Sequence, residues 1–171
     1  IYNTAIGNFS LYHNNTGYYN TAAGYNALYN NTTGFKNTAM GSAALFSNTI
    51  GIYNTATGNY ALNKNVNGNE NIANGYQALY NNINGSTNVA VGNLALLSNI
   101  SGQANAALGH AALYYNTVGN YNTAVGSNAL FSNTTATRNT AVGSRALYSQ
   151  STTTPNTTWD ERHVGVECNA R

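Results

Sequence analysis

Charged residues are scarce in this sequence. Only 6% of its 171 residues are charged, and the formal net charge is +2. No cluster of Lys or Arg is present, so no nucleic-acid partner is expected. No apolar run approaches the roughly 18 residues of a membrane-spanning helix, so no membrane insertion by this segment is expected either.

Carboxylates and histidines are also rare in this sequence. Residues 1–155 contain no Asp and a single Glu, Glu70. Paired carboxylates for acid–base catalysis are therefore missing from most of the chain. The three histidines, His13, His110 and His163, lack the spacing of metal ligands. We therefore expect no enzyme activity, no cofactor and no metal site.

The single Cys and the single Pro both lie near the C-terminus. A solitary Cys indicates either intermolecular pairing or a free thiol, and we expect Cys168 to carry no function. Pro155 follows the last full repeat of the sequence. Because proline cannot donate to a ladder of backbone hydrogen bonds, its absence before that point favours stacked strands.

A repeat of 17 residues fills most of the chain. Asn-Thr-Ala-x-Gly, with some variation at the second position, returns in nine copies from Asn3 to Asn139 without insertion or deletion. A fixed period of this length indicates stacked structural units. Two Gly per unit mark two turns, and the segments between them suit short strands. The sequence therefore predicts an all-β fold, a parallel β-solenoid or β-roll with two short strands per 17-residue coil.

The repeat also predicts the boundaries and the interior of this solenoid. Nine coils span 1–155, and 156–171 form a degenerate tenth coil that ends in a cap or joint. One small and one large side chain per coil fill a narrow core, and two Asn columns stack their amides along the axis. The alternative for Asn is a simple turn residue. The second coil provides one member of each predicted structural ladder: Asn20, Ala22, Gly24, Leu28, Asn31 and Gly34.

The outer face of the first predicted strand is largely apolar. A continuous apolar stripe usually marks an interface, so we predict that this column is the seam between chains. Thr57 and Asn74 interrupt it. Its apolar members are Ile6, Ala23, Met40, Val91, Leu108, Val125 and Val142.

An aromatic residue follows the repeated Leu in seven of the nine copies. Asn63 and Leu97 are the exceptions. One interpretation is an exposed ladder that stacks on sugars or grips a protein partner. The other is that the rings pack between chains or stack on one another. The candidate ligand-contact residues are Tyr12, Tyr29, Phe46, Tyr80, Tyr114, Phe131 and Tyr148.

The repeat resembles a known class of sequences. Asn-Thr-Ala-Val-Gly at 122–126 and 139–143, each followed by Ser-x-Ala-Leu, is similar to the repeats of trimeric autotransporter adhesin heads. It also resembles repeat arrays of bacterial surface and phage tail-fibre-like proteins. The resemblance covers residues 1–150. It implies a left-handed β-roll, a homotrimer, and an extracellular, cell-surface or virion fibre that mediates attachment.

Three functions follow as hypotheses. The first is a structural and adhesive fibre segment. Its partners would be further copies of the same chain and a glycan or protein on a host surface. The second is a purely structural extracellular filament in which chains stack end to end. The third is an ice-binding solenoid, which needs a regular Thr array. The Thr column of this repeat is broken by Ile72, Val89 and Ala106.

Overall fold

A single parallel sheet organises the chain. The computed structural model describes residues 2–149 and the strand at 164–166. Ten strands of three residues lie side by side in sequence order, and no helix occurs within the described ranges. The strands are β1 (Thr4–Ile6), β2 (Thr21–Ala23), β3 (Thr38–Met40), β4 (Thr55–Thr57), β5 (Ile72–Asn74), β6 (Val89–Val91), β7 (Ala106–Leu108), β8 (Thr123–Val125), β9 (Thr140–Val142) and β10 (Val164–Val166).

The register of the sheet follows the sequence period. Ala5 pairs with Ala22, and Ala22 pairs with Ala39. The same offset of 17 residues joins every neighbouring pair from β1 to β9, so the chain completes one coil per repeat. The predicted all-β parallel β-solenoid with 17-residue coils is confirmed.

The second half of each coil differs from the prediction of two strands per coil. Only the Thr-Ala-x segment has strand geometry, and the segment around the repeated Leu is a run of turns. Coils are still joined there, because the backbone N–H of Leu11 donates to Ala27 O at 3.0 Å. However, the repeated Leu has a φ of 50–53° in all nine copies. This left-handed conformation is incompatible with the extended backbone of a strand.

The core consists of three apolar columns. Ala22, Ala27 and Leu28 are fully buried, and the equivalent residues of the following coils are buried as well. Ala27 and Leu28 are consecutive, so strand alternation would send them to opposite faces. The left-handed backbone at Leu28 accounts for their shared orientation. Each coil thus buries two small side chains and one large one.

The last strand joins the sheet at a different offset. Val164 pairs with Thr140 and Gly165 with Ala141, which is a separation of 24 residues instead of 17. The place next to β9 is therefore held by Val164–Val166 and not by the residues that continue the 17-residue period. Asn156, Trp159 and Cys168 lie outside the described residues, and the cap or joint at 156–171 stays a prediction.

Candidate functional site

The two Asn columns lie inside the coil and bond to the same carbonyl groups. Asn20 Nδ2 donates to Gly34 O at 2.9 Å, and Asn20 Oδ1 accepts the backbone N–H of Asn37 at 2.9 Å. Asn31 Nδ2 donates to Gly34 O at 2.9 Å and to Asn14 Oδ1 at 2.7 Å. Asn20 is 1% exposed and Asn31 is not exposed. These amides link neighbouring coils, so they are not available to an external ligand.

The two Gly columns are required for different reasons. Gly24 has a φ of +141°, which disfavours any residue with a side chain. A Cβ atom on Gly24 would also lie 2.5 Å from the carbonyl oxygen of Gly41. Gly34 lacks such a φ, but a Cβ atom there would lie against Oδ1 of Asn31 and 2.5 Å from Gly51 O. The close approach of the Asn side chain and of the next coil's backbone therefore favours Gly in the second column, although Ala136 occupies this position in the eighth coil.

Metal-binding residue types do not cluster in the part of the chain that the structure describes. No group of three or more His, Cys, Asp or Glu residues is close enough to hold a metal ion there. His13 lies in the first coil and His110 in the seventh, at different positions of the repeat. The same described residues include no helix long and apolar enough to cross a membrane.

The aromatic column forms two runs of three stacked rings. Tyr12 stacks on Tyr29 with ring centroids 5.3 Å apart, and Tyr29 stacks on Phe46 at 5.2 Å. The second run comprises Tyr114, Phe131 and Tyr148, with centroid separations of 5.1 and 4.9 Å. Interplanar angles in both runs are between 3° and 21°. The middle ring of each run, Tyr29 or Phe131, is covered on both faces by its neighbours, and each end ring is covered by the run on one face.

Tyr80 lies between the two runs and has no stacked partner among the described residues. The coils on either side place Asn63 and Leu97 at its column. Asn63 is buried and its Nδ2 donates to Ala43 O at 2.8 Å. One face of Tyr80 is approached by Lys64, whose Nζ is 5.1 Å from the ring centroid. A sugar that stacks on Tyr80 would have to compete with this ammonium group.

A second aromatic group lies on another edge of the coil. Tyr18 stacks on Phe35 at 4.8 Å. Lys36 Nζ donates to the hydroxyl of Tyr53 at 3.1 Å and lies 4.9 Å from the centroid of that ring. This hydrogen bond raises the pKa of Lys36 above its ordinary value. Tyr18 and Phe35 share one position of the repeat, and Lys36 and Tyr53 share the next position. The contact between Lys36 and Tyr53 was not evident from the sequence.

The apolar column of the strands is exposed in a single chain. It points away from the core, because the Ala before it points inward. Ala23 and Val125 are partly buried in this column. The exposed fractions of the larger members are 63% for Ile6, 48% for Met40, 38% for Val91, 41% for Leu108 and 43% for Val142.

A groove of about 420 Å³ runs along the first three coils beside the ring run that begins at Tyr12. We call it the polar groove. His13 lies at its first coil, with its ring edge-on to Tyr12 and Tyr29 at centroid distances of 4.9 Å each. The groove could not be predicted from any single position of the repeat, because residues from two positions of the repeat form it together. Its lining residues are His13, Asn15, Asn30, Thr32, Ser47 and Thr49.

Comparison with known proteins does not identify the chain. It matches no family model, and neither a curated protein nor a solved structure is significantly similar to it. The resemblance to adhesin-head repeats therefore stays a prediction from the repeat itself. The functional argument depends on the surfaces described above.

Proposed function

We propose that this chain is a rod-like segment of an extracellular fibre that holds a repetitive surface away from its base and attaches through it. The observation that supports this proposal best is the stack of strands β1 to β9, in which every coil presents the same set of columns. Exposed positions that carry related side chains in several coils, such as the aromatic position after the repeated Leu, offer several similar weak contacts along one chain. Their combined avidity exceeds that of any one contact.

Stiffness is the first requirement of such a segment. Each coil donates backbone hydrogen bonds to the next in the strand and in the turns. The buried Asn ladders and the continuous Ala and Leu columns add contacts at every step. Because neighbouring coils are joined on all sides, bending the rod would break several contacts at once.

Self-association is the second element of the proposal. The exposed column from Ile6 to Val142 would leave a row of aliphatic side chains in water. Packing it against further copies of the chain removes that surface from solvent. The resemblance to adhesin heads implies three copies and a left-handed coil, and we adopt the homotrimer as the proposed assembly.

Light scattering tests the assembly. We expect a particle of three 18.1 kDa chains. The double variant Met40→Asp, Leu108→Asp should dissociate it, because six buried charges would be introduced at the seam. The matched control is Thr57→Ser with Asn74→Ser, which changes polar positions of the same column without adding charge, and it should leave the assembly intact. A monodisperse wild-type monomer would rule out the homotrimer.

Attachment is tested separately. Beads that display many copies of the chain should adhere to cells or to defined surfaces, and the same protein as a soluble competitor should inhibit adhesion only at much higher concentration. The second candidate is a purely structural filament, which the exposed apolar column also supports because it allows lateral association. Efficient self-association without adhesion to any surface tested would favour that candidate.

A further inference from the structure

The polar groove contains side chains whose hydrogen-bonding capacity is unused. Within the described residues, the side chains of Asn15, Asn30 and Ser47 form no hydrogen bond. Asn31, directly after Asn30, is by contrast fully buried and paired in its ladder. An amide group offers two donors and an acceptor, and a hydroxyl offers one donor and an acceptor. The groove therefore presents free donors and acceptors to solvent.

The two Thr residues of the groove extend this polar lining. Thr32 Oγ1 donates to Thr49 O at 2.9 Å, and Thr49 Oγ1 donates to Val66 O at 3.1 Å. Each hydroxyl has thus used its proton within the protein but keeps its oxygen as an acceptor. These bonds also fix the side-chain positions. The groove is consequently an ordered surface with polar groups one coil apart, which is about 4.8 Å.

The same two columns have a different character further along the rod. The next two coils carry Lys64 and Asn81 in the position of Asn30 and Ser47, and Lys64 Nζ donates to Asn81 Oδ1 at 3.0 Å, so this segment adds a positive charge and engages the amide oxygen within the protein. In the position of Asn15, Thr32 and Thr49, the next three coils carry aliphatic residues. They are Val66, Ile83 and Ile100, which are 37%, 42% and 43% exposed.

The ligand that fits the polar groove is neutral and rich in hydroxyl groups. His13 is the only titratable residue among its lining residues, which include no carboxylate, Lys or Arg. The groove is open along the rod and is flanked by aromatic edges, as Tyr12 is 58% exposed. No aliphatic residue, Phe, Tyr or Trp is among the lining residues of the groove, whereas the centre of a protein–protein interface is enriched in such residues.

We propose that the polar groove binds a neutral oligosaccharide chain that lies along the axis of the rod. This inference rests on the proposed attachment function and names its ligand class. The amide of Asn30 and the hydroxyl of Ser47 exchange hydrogen bonds with sugar hydroxyls. The rings of Tyr12 and His13 border the groove and supply apolar surface for the carbon-bound hydrogens of the sugar ring. The stacked ring faces, which were the sequence-based candidates, do not take part.

The test begins with an array of neutral linear oligosaccharides built from glucose, mannose, galactose or N-acetylglucosamine. Titration calorimetry on the full chain then measures the affinity of the strongest binder. The groove variant is Asn30→Ala with Ser47→Ala. Its control is Asn81→Ala with Ser98→Ala, which removes the same residue types three coils further along the same column.

We expect the groove variant to lose about tenfold or more in affinity, as follows from removing one or two hydrogen bonds. The control should change affinity less than twofold. Circular dichroism and light scattering on both variants show whether fold and assembly are retained. Equal losses in the two variants would overturn the assignment to this groove.

The inference and the proposed function fail in different ways. If beads adhere to cells but no neutral oligosaccharide binds, the groove assignment is wrong and attachment stands; a protein receptor would then be indicated by loss of adhesion after protease treatment of the cells. If an oligosaccharide binds with the expected variant pattern but beads do not adhere, the groove assignment stands and the attachment function is wrong.

Discussion

The interior and the outer surface of one coil follow opposite rules. Inside, the Asn, Ala and Leu positions that the second coil fills with Asn20, Ala22 and Leu28 hold the same residue in every copy from Asn3 to Leu147. On the outer surface, the position after the repeated Leu holds Tyr, Phe, Asn or Leu. The next position holds residue types as different as His13 and Lys64. The interior residues pair with their own equivalents one coil away, so a change in one coil leaves its neighbours unmatched. Surface residues tolerate change, and this is where one segment of the rod can differ from another.

The largest expected effect comes from breaking the Asn ladder at its centre. Asn71 Nδ2 donates to Gly85 O at 2.8 Å, and Asn71 Oδ1 accepts the backbone N–H of Asn88 at 3.0 Å. Asn71→Ala removes both bonds and leaves the backbone N–H of Asn88 buried and unpaired, while Gly85 O keeps the bond that Asn82 Nδ2 donates. The free energy of unfolding should therefore fall by about 3–5 kcal/mol. Urea denaturation measures this. The control is Asn67→Ala in the preceding coil, an exposed residue without a side-chain hydrogen bond in the described part of the chain. Equal losses would contradict the ladder.

A somewhat smaller effect is expected from the apolar core. Leu79 is fully buried between the equivalent Leu residues of adjacent coils. Leu79→Ala should cost about 3 kcal/mol through lost transfer energy and a residual cavity. Leu97→Ala, at a partly exposed position, is the control and should cost less than half as much. The measurement is again urea denaturation. Similar costs at the two positions would mean that the core is not the column containing Leu79.

A stabilising change is expected on the surface. Thr87 is exposed and has a φ of 58°, which is unfavourable for a β-branched residue. Thr87→Gly should therefore raise the melting temperature, with a gain of about 1 kcal/mol. The matched control is Thr123→Gly in strand β8, where Gly should weaken the strand by about 0.5–1 kcal/mol. A gain at both positions would show that backbone strain at Thr87 is not the cause.

The smallest expected effect on stability concerns the ammonium group of Lys36 in the second aromatic group. The hydroxyl of Tyr53 raises the pKa of Lys36. A raised pKa means that this contact stabilises the fold below the ordinary pKa of Lys and is lost as pH rises through the folded value. Near neutral pH, Tyr53→Phe should leave stability almost unchanged but lower the pKa of Lys36. An NMR titration of the Lys36 side chain checks this, and an unchanged pKa would contradict the role of the hydroxyl.

The sequence determined the large-scale architecture because the period is a direct consequence of the register. Residues 17 apart, such as Ala5 and Ala22, become partners in adjacent strands, and no other knowledge is needed to place them. The two Gly columns likewise indicated where the backbone turns, and the two Asn columns indicated side-chain amides stacked along the axis.

The sequence did not reveal the conformation at the repeated Leu. Leu is not a residue type that favours a left-handed backbone, so its φ of about 51° at Leu28 carries no signal in the sequence. Two errors followed from the assumption of an extended backbone. The second strand per coil was expected there, and Ala27 was not placed in the core. The polar groove was not predicted for a different reason. Its lining residues, such as Asn15 and Asn30, are 15 positions apart in the sequence and become neighbours only in the folded coil.

The constant offset between β1 and β9 also has a consequence at the level of the gene. One coil corresponds to 51 nucleotides (3 × 17), and the offset is the same at each of these steps. Because each coil contacts only its neighbours, recombination that adds or removes 51 nucleotides between two copies changes the reach of the rod by one step and leaves the reading frame intact. Length is therefore a property that this protein can change in evolution without redesigning any part of its interior.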